Sequence, residues 1–317
     1  MAIIFVCLAS LFLALGNLLM RKSLDAGGTT KMYLVLQLSV CFFISILLGP
    51  VKTNSYLING PVVCFGLFTG FVLIALLITL GKALEKGPPG LTFSILSAAA
   101  VFPGLVMAAI FGEAGGFPYT PWHAIGSVLV LIGLFWAGRE RSNADSPISS
   151  VPSKRIWVIL VAGMFVIHIL LLLLYQGRAL MMSKMTSGLS VLGIYSDQIA
   201  SEWFVPMMYV GAVIIQLFIF LKTEARWPKS KEWLYGFAGG IANGLCTFFL
   251  LYGTKVAIGL ENAIIFPVYS IGTIVFSNLW SQRLYGESVN WRACQVCALG
   301  ILLGSVDWKI ALAALGW

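Results

Sequence analysis

The sequence predicts an all-α polytopic membrane protein with ten transmembrane helices arranged as two inverted five-helix repeats. Three observations carry that expectation. The first is composition: of 317 residues, 59% are hydrophobic and 10% are charged, where an ordinary soluble domain has about 25% charged. Polar side chains are too few to cover a water-facing surface, which excludes a soluble monomer, a disordered chain and a disulfide scaffold. The second is a series of ten apolar segments, each close to the roughly 20 residues that cross a bilayer as a helix. The third is a set of small-residue motifs that recurs at one fixed offset.

The segments fall at about 3–20, 32–49, 61–81, 89–112, 122–138, 156–176, 203–221, 233–253, 261–283 and 291–308. The first has no basic leader and is followed by Arg21-Lys22, so it is expected as a membrane helix and not a signal peptide. The second carries Gln37, and the third opens on Gly66 and Gly70. The fourth contains Pro103 and ends at Gly112-Glu113; the fifth carries Gly126 and Gly133. The stretch 139–155 is polar, with charges of both signs, and is expected as a flexible linker. The sixth segment holds His168, the seventh begins at Trp203, and the eighth bears a stripe of Gly236, Gly240 and Gly244. Pro267 sits inside the ninth, which leads into Gly286-Glu287, and the tenth carries Cys297 and Gly304. Trp122, Trp136, Trp157, Trp203, Trp233, Trp291 and Trp308 cluster at segment ends, where an interfacial aromatic belt places them.

Adding 174 to Gly66 and Gly70 gives Gly240 and Gly244, and adding it to Gly112-Glu113 gives Gly286-Glu287. Lys82 and Lys255 close the third and eighth segments at nearly the same offset. Several matches in the same order of spans make an internal repeat: residues 1–138 form the first unit, 139–155 the linker, and 156–317 the second unit. Five spans per unit is an odd number, so the second unit enters the membrane in the opposite sense. That is the inverted-repeat plan of secondary transporters, whose substrate site lies near the midplane between the halves.

Loops after odd-numbered spans carry 15 of the 20 Lys and Arg. The positive-inside rule then places those loops in the cytoplasm and both termini outside. The net charge of +8 has the same origin, and no basic patch interleaved with aromatics suggests nucleic acid.

Acidic side chains are nearly absent from mid-span positions: Glu113, Glu261 and Glu287 sit at segment ends, and Asp307 lies toward the end of the tenth. A charge at the bilayer centre costs about 2.5–3.5 kcal/mol on insertion scales, so a neutral or zwitterionic cargo is expected. The candidate substrate-binding residues are Asn17, Gln37, His168, Asn243, Thr247, Tyr269 and Thr273, with Ser94, Ser97 and Ser270 as further intramembrane polar groups. Asn243 and Thr247 share a helix face, as do Tyr269 and Thr273. His168 is the one mid-span side chain that titrates near neutral pH, in the range of about 6–7. Pro103 and Pro267 each free a backbone carbonyl and bend their helices, offering acceptors inside the membrane. The stretch 183–202, with Lys184, Tyr195, Asp197 and Glu202, is expected as a simple loop or as a cover over the cavity mouth.

On the five-plus-five spans, the short connection Gly81-Lys82-Ala83-Leu84-Glu85-Lys86-Gly87-Pro88-Pro89, the two Gly-Glu pairs and the glycines of the fifth and tenth spans, the chain resembles the drug/metabolite transporter superfamily, most closely its ten-helix EamA-like members. The stretch Leu13 to Lys22 also resembles the first helix of the small multidrug resistance branch, whose membrane glutamate couples export to protons; the aligned position here is Leu13. The resemblance implies transport of a small metabolite, such as an amino acid or sugar, and cytoplasmic termini, opposite to the charge count. The expected location is a bacterial inner membrane. The expected partners are the bilayer and a small-molecule cargo, with a monomer sufficient. The alternative reading is a non-transporting membrane adaptor or a channel-like protein. Enzyme motifs such as HExxH, GxGD and GxSxG are missing, and so is a P-loop. No enzyme activity, cofactor or metal site is expected; Cys294 and Cys297 form a CxxC with no second pair and no nearby histidine.

Overall fold

Every regular element among the described residues is helical. The structure is a computed structural model, and it describes residues 1–86, 89–112, 119–144, 151–182, 201–258, 260–286 and 290–305. The helices are α1 (Ala2–Asp25), α2 (Thr30–Ile46), α3 (Gly60–Lys86), α4 (Pro89–Ala99), α5 (Phe102–Phe111), α6 (Pro121–Ala144), α7 (Val151–Met182), α8 (Phe204–Thr223), α9 (Ser230–Val256), α10 (Leu260–Tyr285) and α11 (Trp291–Ser305). A five-residue π-helical turn, Leu47–Val51, closes α2 around Pro50.

Seven of the described helices are long and apolar enough to cross a membrane: α1, α2 with its π turn, α3, α7, α8, α9 and α10. Two shorter apolar stretches, Ile95–Phe111 and Pro121–Trp136, accompany them. Large apolar side chains such as Phe43, Phe71, Ile159, Val166, Ile214 and Phe218 are exposed on the outside of the bundle. These features define a polytopic integral membrane protein, since only lipid can cover so much outward-facing hydrocarbon.

Several boundaries differ from the sequence-based expectation. All of the described residues in the 139–155 stretch are helical: α6 runs on to Ala144 and α7 starts at Val151. The sixth segment was expected to end near residue 176, yet α7 continues to Met182. The fourth segment is split into α4 and α5 at Ala100-Val101, just before Pro103. There the Ala100 N–H turns to Ser97 O (3.1 Å) and the Val101 N–H to Ala98 O (3.2 Å), a tight turn in place of the helical ladder. Pro267, by contrast, lies within an unbroken α10. The stretch 183–200, Glu113, Glu287, Asp307 and the Ser94 side chain lie outside the described residues.

The helices pack in a definite set of pairs: α1 with α9 and α10, α2 with α8 and α9, α3 with α7 and α8, α4 with α6 and α7, and α6 with α11. Glycine decides several of these. A Cβ on Gly70 would collide with the Met208 carbonyl on α8, and one on Gly66 would sit 2.7 Å from Met207 Cβ and 2.9 Å from Phe204 O. On α9, a Cβ at Gly240 would lie 2.5 Å from Val40 Cβ and 2.8 Å from Gln37 O, while Gly244 faces Ile44. The α3 glycines thus admit the backbone of α8, and the α9 glycines admit the backbone of α2. Helices in lipid gain little from hydrophobic burial against one another, so this close approach supplies much of their adhesion. Leu38, Cys41, Met208, Tyr209, Ala212 and Cys246 fill the resulting centre, each at most 2% exposed.

Gly70→Leu and Gly240→Leu should each lower the thermal midpoint of the purified protein in detergent, by the equivalent of about 1–3 kcal/mol of overpacking. Gly163, with nothing within 4 Å of its Cβ position, should accept leucine with little change. Equal behaviour of the three variants in a melting assay would remove the packing role assigned to the motifs.

Candidate functional site

A polar cluster occupies the centre of the bundle, formed from α2, α7, α8, α9 and α10. The Tyr209 and Thr247 hydroxyls lie 2.6 Å apart. Asn243 Nδ2 reaches Cys41 Sγ at 3.7 Å, and Cys41 Sγ in turn donates to Gly240 O at 3.2 Å. Cys246 Sγ and the Tyr269 hydroxyl are 3.4 Å apart. The Tyr175 hydroxyl donates to Met208 Sδ at 3.3 Å. These side chains carry donors and acceptors and, in their ordinary states, no charge.

The structure therefore brings three of the seven expected site residues, Asn243, Thr247 and Tyr269, into one cluster. Gln37 lies one turn before Cys41 on the α2 face that meets α9, and its carbonyl faces Gly240. Asn17 follows Gly16, whose carbonyl accepts the Tyr33 hydroxyl at 2.9 Å. Thr273 bonds back to Tyr269 O on its own helix at 2.8 Å. Tyr175, Tyr209, Cys41 and Cys246 were not among the expected site residues. Their type is compatible with an apolar span, so only their spacing relative to Asn243 and Thr247 could have suggested them.

His168 lies apart from this cluster, at the break between α4 and α5. Because Ala100 N–H turns to Ser97 O, Leu96 O is left without its helical donor. The Nδ1 of His168 lies 2.8 Å from that carbonyl. A carbonyl can only accept, so Nδ1 carries the proton in this contact. Ser270 Oγ on α10 donates to Ser97 O at 2.9 Å. The break thus leaves one acceptor, Leu96 O, which His168 of α7 takes up, while Ser97 O accepts Ser270 of α10 in addition to the Ala100 N–H. Within lipid an unsatisfied backbone carbonyl costs several kcal/mol, which gives the His168 contact a structural reason.

The two ends of the bundle differ. At the end where α2 and α9 begin, Arg226 forms a bidentate pair with Glu232, at 2.7 and 2.6 Å. Glu232, 1% exposed, also accepts the N–H groups of Thr29 (2.9 Å) and Lys229 (2.8 Å). The Thr29 hydroxyl donates to Glu224 at 2.9 Å and accepts from Arg226 at 3.2 Å. These contacts tie the 26–29 turn to the 224–229 turn. At the opposite end a cavity of about 260 Å³ lies between the end of α2, its π turn, the last turns of α7 and α9, and the start of α8. Its lining includes Lys52, Arg178, Glu202, Phe248, Tyr252 and Lys255. Gly244 and Phe248 also line it and adjoin Asn243 and Thr247 in the chain, so the cavity floor comes within a helical turn of the polar cluster.

No family model and no curated protein matches the chain. A solved crystal structure of another protein superposes on 96% of this chain and 95% of its own, with a TM-score of 0.70 and 17% sequence identity. At that identity the likeness establishes a shared fold over nearly the whole length.

His168→Leu should cost about 1–3 kcal/mol of stability, the penalty for stranding a buried carbonyl. His168→Asn, which retains a donor, should recover part of it. Identical melting of the two variants in detergent would show that the contact with Leu96 contributes nothing.

Proposed function

We propose that this protein is a secondary transporter that moves a small neutral or zwitterionic metabolite by alternating access between two inverted five-helix repeats, in the manner of the EamA-like family it resembles. The observation that carries the reading is the pairing of the helices. Exchanging each helix of 1–138 with its counterpart in 156–317 turns the α1–α9 pair into α7–α3, and α3–α8 into α9–α2. The pair α1–α10 becomes α7 with α4 and α5, while α2–α8 and α6–α11 map onto themselves. The two GxxxG motifs exchange as well. Ten spans related in this way would have two arrangements of similar energy, one open at each end, which is what alternating access requires.

The ends also support the reading. One is closed by the Arg226–Glu232 network and the other opens into a cavity above the polar cluster. Cargo entering there would meet Thr247, Asn243 and Tyr269, uncharged groups suited to a neutral or zwitterionic solute. The proposed location is a bacterial inner membrane. The 15-to-5 split of basic residues puts the closed end in the cytoplasm.

Uptake of labelled amino acids, sugars and nucleosides into liposomes carrying the purified protein tests the function. At least one compound should accumulate faster than in empty liposomes. Asn243→Ala and Tyr269→Phe should slow that flux about tenfold or more without lowering the amount of folded protein. Flux unaltered in both variants would move the site away from the cluster. Topology has a separate test: a fluorescent reporter that matures only in the cytoplasm, fused after Trp317, should stay dark. A bright fusion would reverse the assignment of the two ends.

A further inference from the structure

Loops after even-numbered spans and the two termini carry only five of the 20 Lys and Arg: Lys52, Arg178, Lys184, Lys255 and Lys309. Three of the five, Lys52, Arg178 and Lys255, line the cavity. The positive-inside rule accounts for basic residues at the other end and leaves this concentration unexplained. One carboxylate, Glu202, shares the lining. Among the described residues none of the three cations forms an ion pair, with Glu202 or with any other acid. Lys52 Nζ stands 5.6 Å from the centre of the Phe248 ring.

Arg178 is the most informative of the three. It lies in the last two turns of α7, past the apolar stretch, and is 8% exposed. Its Nη2 donates to Ser201 O at 3.3 Å, and its guanidinium carbon lies 4.6 Å over the Phe204 ring. These contacts fix the plane of the group. Its Nε is buried without a hydrogen-bond partner. A buried guanidinium with an unused donor is costly, and an oxyanion of a ligand would meet that donor. The planar fork matches the two oxygens of a carboxylate or phosphate, and flanking lysines add charge without directional demands.

We propose that this cavity is an oxyanion site: Arg178, Lys52 and Lys255 bind the carboxylate or phosphate group of a small soluble metabolite, and Glu202 accepts a hydroxyl or ammonium group of the same molecule. The proposal rests on the transport reading and revises its cargo class: it drops uncharged solutes, keeps zwitterions and adds anions. A zwitterion presents one end to the cations and the other to Glu202. At about 260 Å³ the cavity lies just below the usual range of ligand pockets, about 300–1,000 Å³, which suits a compact metabolite. From the cavity floor at Gly244 and Phe248 the rest of the molecule would face Asn243 and Thr247.

The test is direct binding to the full chain in phosphatidylcholine nanodiscs, measured by calorimetry with succinate, glycerol 3-phosphate, alanine and uncharged erythritol. At least one of the three charged compounds should bind, and erythritol should not. Lys52→Gln and Lys255→Gln, both at exposed positions, should each weaken binding about tenfold, the equivalent of one charge-assisted contact, with unchanged melting. Arg178→Lys should weaken it further by losing the fork. Binding of erythritol as tight as that of the anions overturns the proposal, as does undiminished anion binding in the Lys52→Gln/Lys255→Gln double variant. Loss of anion binding when phosphatidylglycerol replaces part of the lipid also overturns it, because the cations would then hold lipid headgroups. Anion binding without uptake into liposomes removes the transport reading and leaves this site standing. Uptake of erythritol without any anion binding does the reverse.

Discussion

The structure depends on backbones touching across the centre of the bundle. Gly240 admits the Gln37 carbonyl of α2, and Gly70 admits the Met208 carbonyl of α8. In water, helices are held by the removal of apolar surface; in lipid that term nearly vanishes, and contact distance takes its place. Once α9 lies against α2 and α3 against α8, the positions of Cys41, Met208, Tyr209 and Cys246 follow, because those residues project into the space between the paired helices. The polar cluster is therefore a product of the glycine contacts. Its hydroxyls and thiols satisfy one another at distances such as the 2.6 Å between Tyr209 and Thr247, and so survive in surroundings that would penalise any unpaired group.

A second constraint acts at the break between α4 and α5. A proline in a membrane helix leaves backbone groups that water cannot reach, and neighbouring side chains must supply the bonds. His168 does so at Leu96 O, and Ser270, from another helix, adds a second donor to Ser97 O. The break is thus stapled on both sides. A mid-span histidine that looks chemical in one dimension has a structural duty in three.

The limits of the sequence can be stated residue by residue. The apolar segments marked the helices because their length is dictated by the bilayer, and the offset of 174 singled out glycines that perform equivalent packing on α3 and α9. Asn243, Thr247 and Tyr269 stood out as polar groups in apolar runs, and they do meet. Tyr175, Tyr209, Cys41 and Cys246 did not stand out, because tyrosine and cysteine are at home in such runs and carry no periodic signal. Arg178 and Lys255 were hidden differently. They fall where an apolar segment ends, and a charge there is ordinarily a loop charge. Only the extra turns of α7, and the way four helix ends surround one space, turn them into a lining. The partner of His168 was beyond reach because it is a carbonyl, which every residue has.

The closed end has a consequence for how it would come apart. Arg226, Glu224 and Glu232 all belong to one short stretch of chain, and their strongest mutual attraction lies within that stretch. Across to the 26–29 turn run hydrogen bonds through the neutral Thr29 and the Lys229 ammonium on the Gly27 carbonyl, with one long ion pair of 3.8 Å between Glu224 and Lys31 nearby. Pulling the two turns apart leaves the bidentate pair whole. The bonds that part each join a charged group on one turn to a neutral group on the other, each worth about 1.5–3 kcal/mol net, so opening the seal breaks charge-assisted hydrogen bonds while its strongest ion pair travels intact with one side.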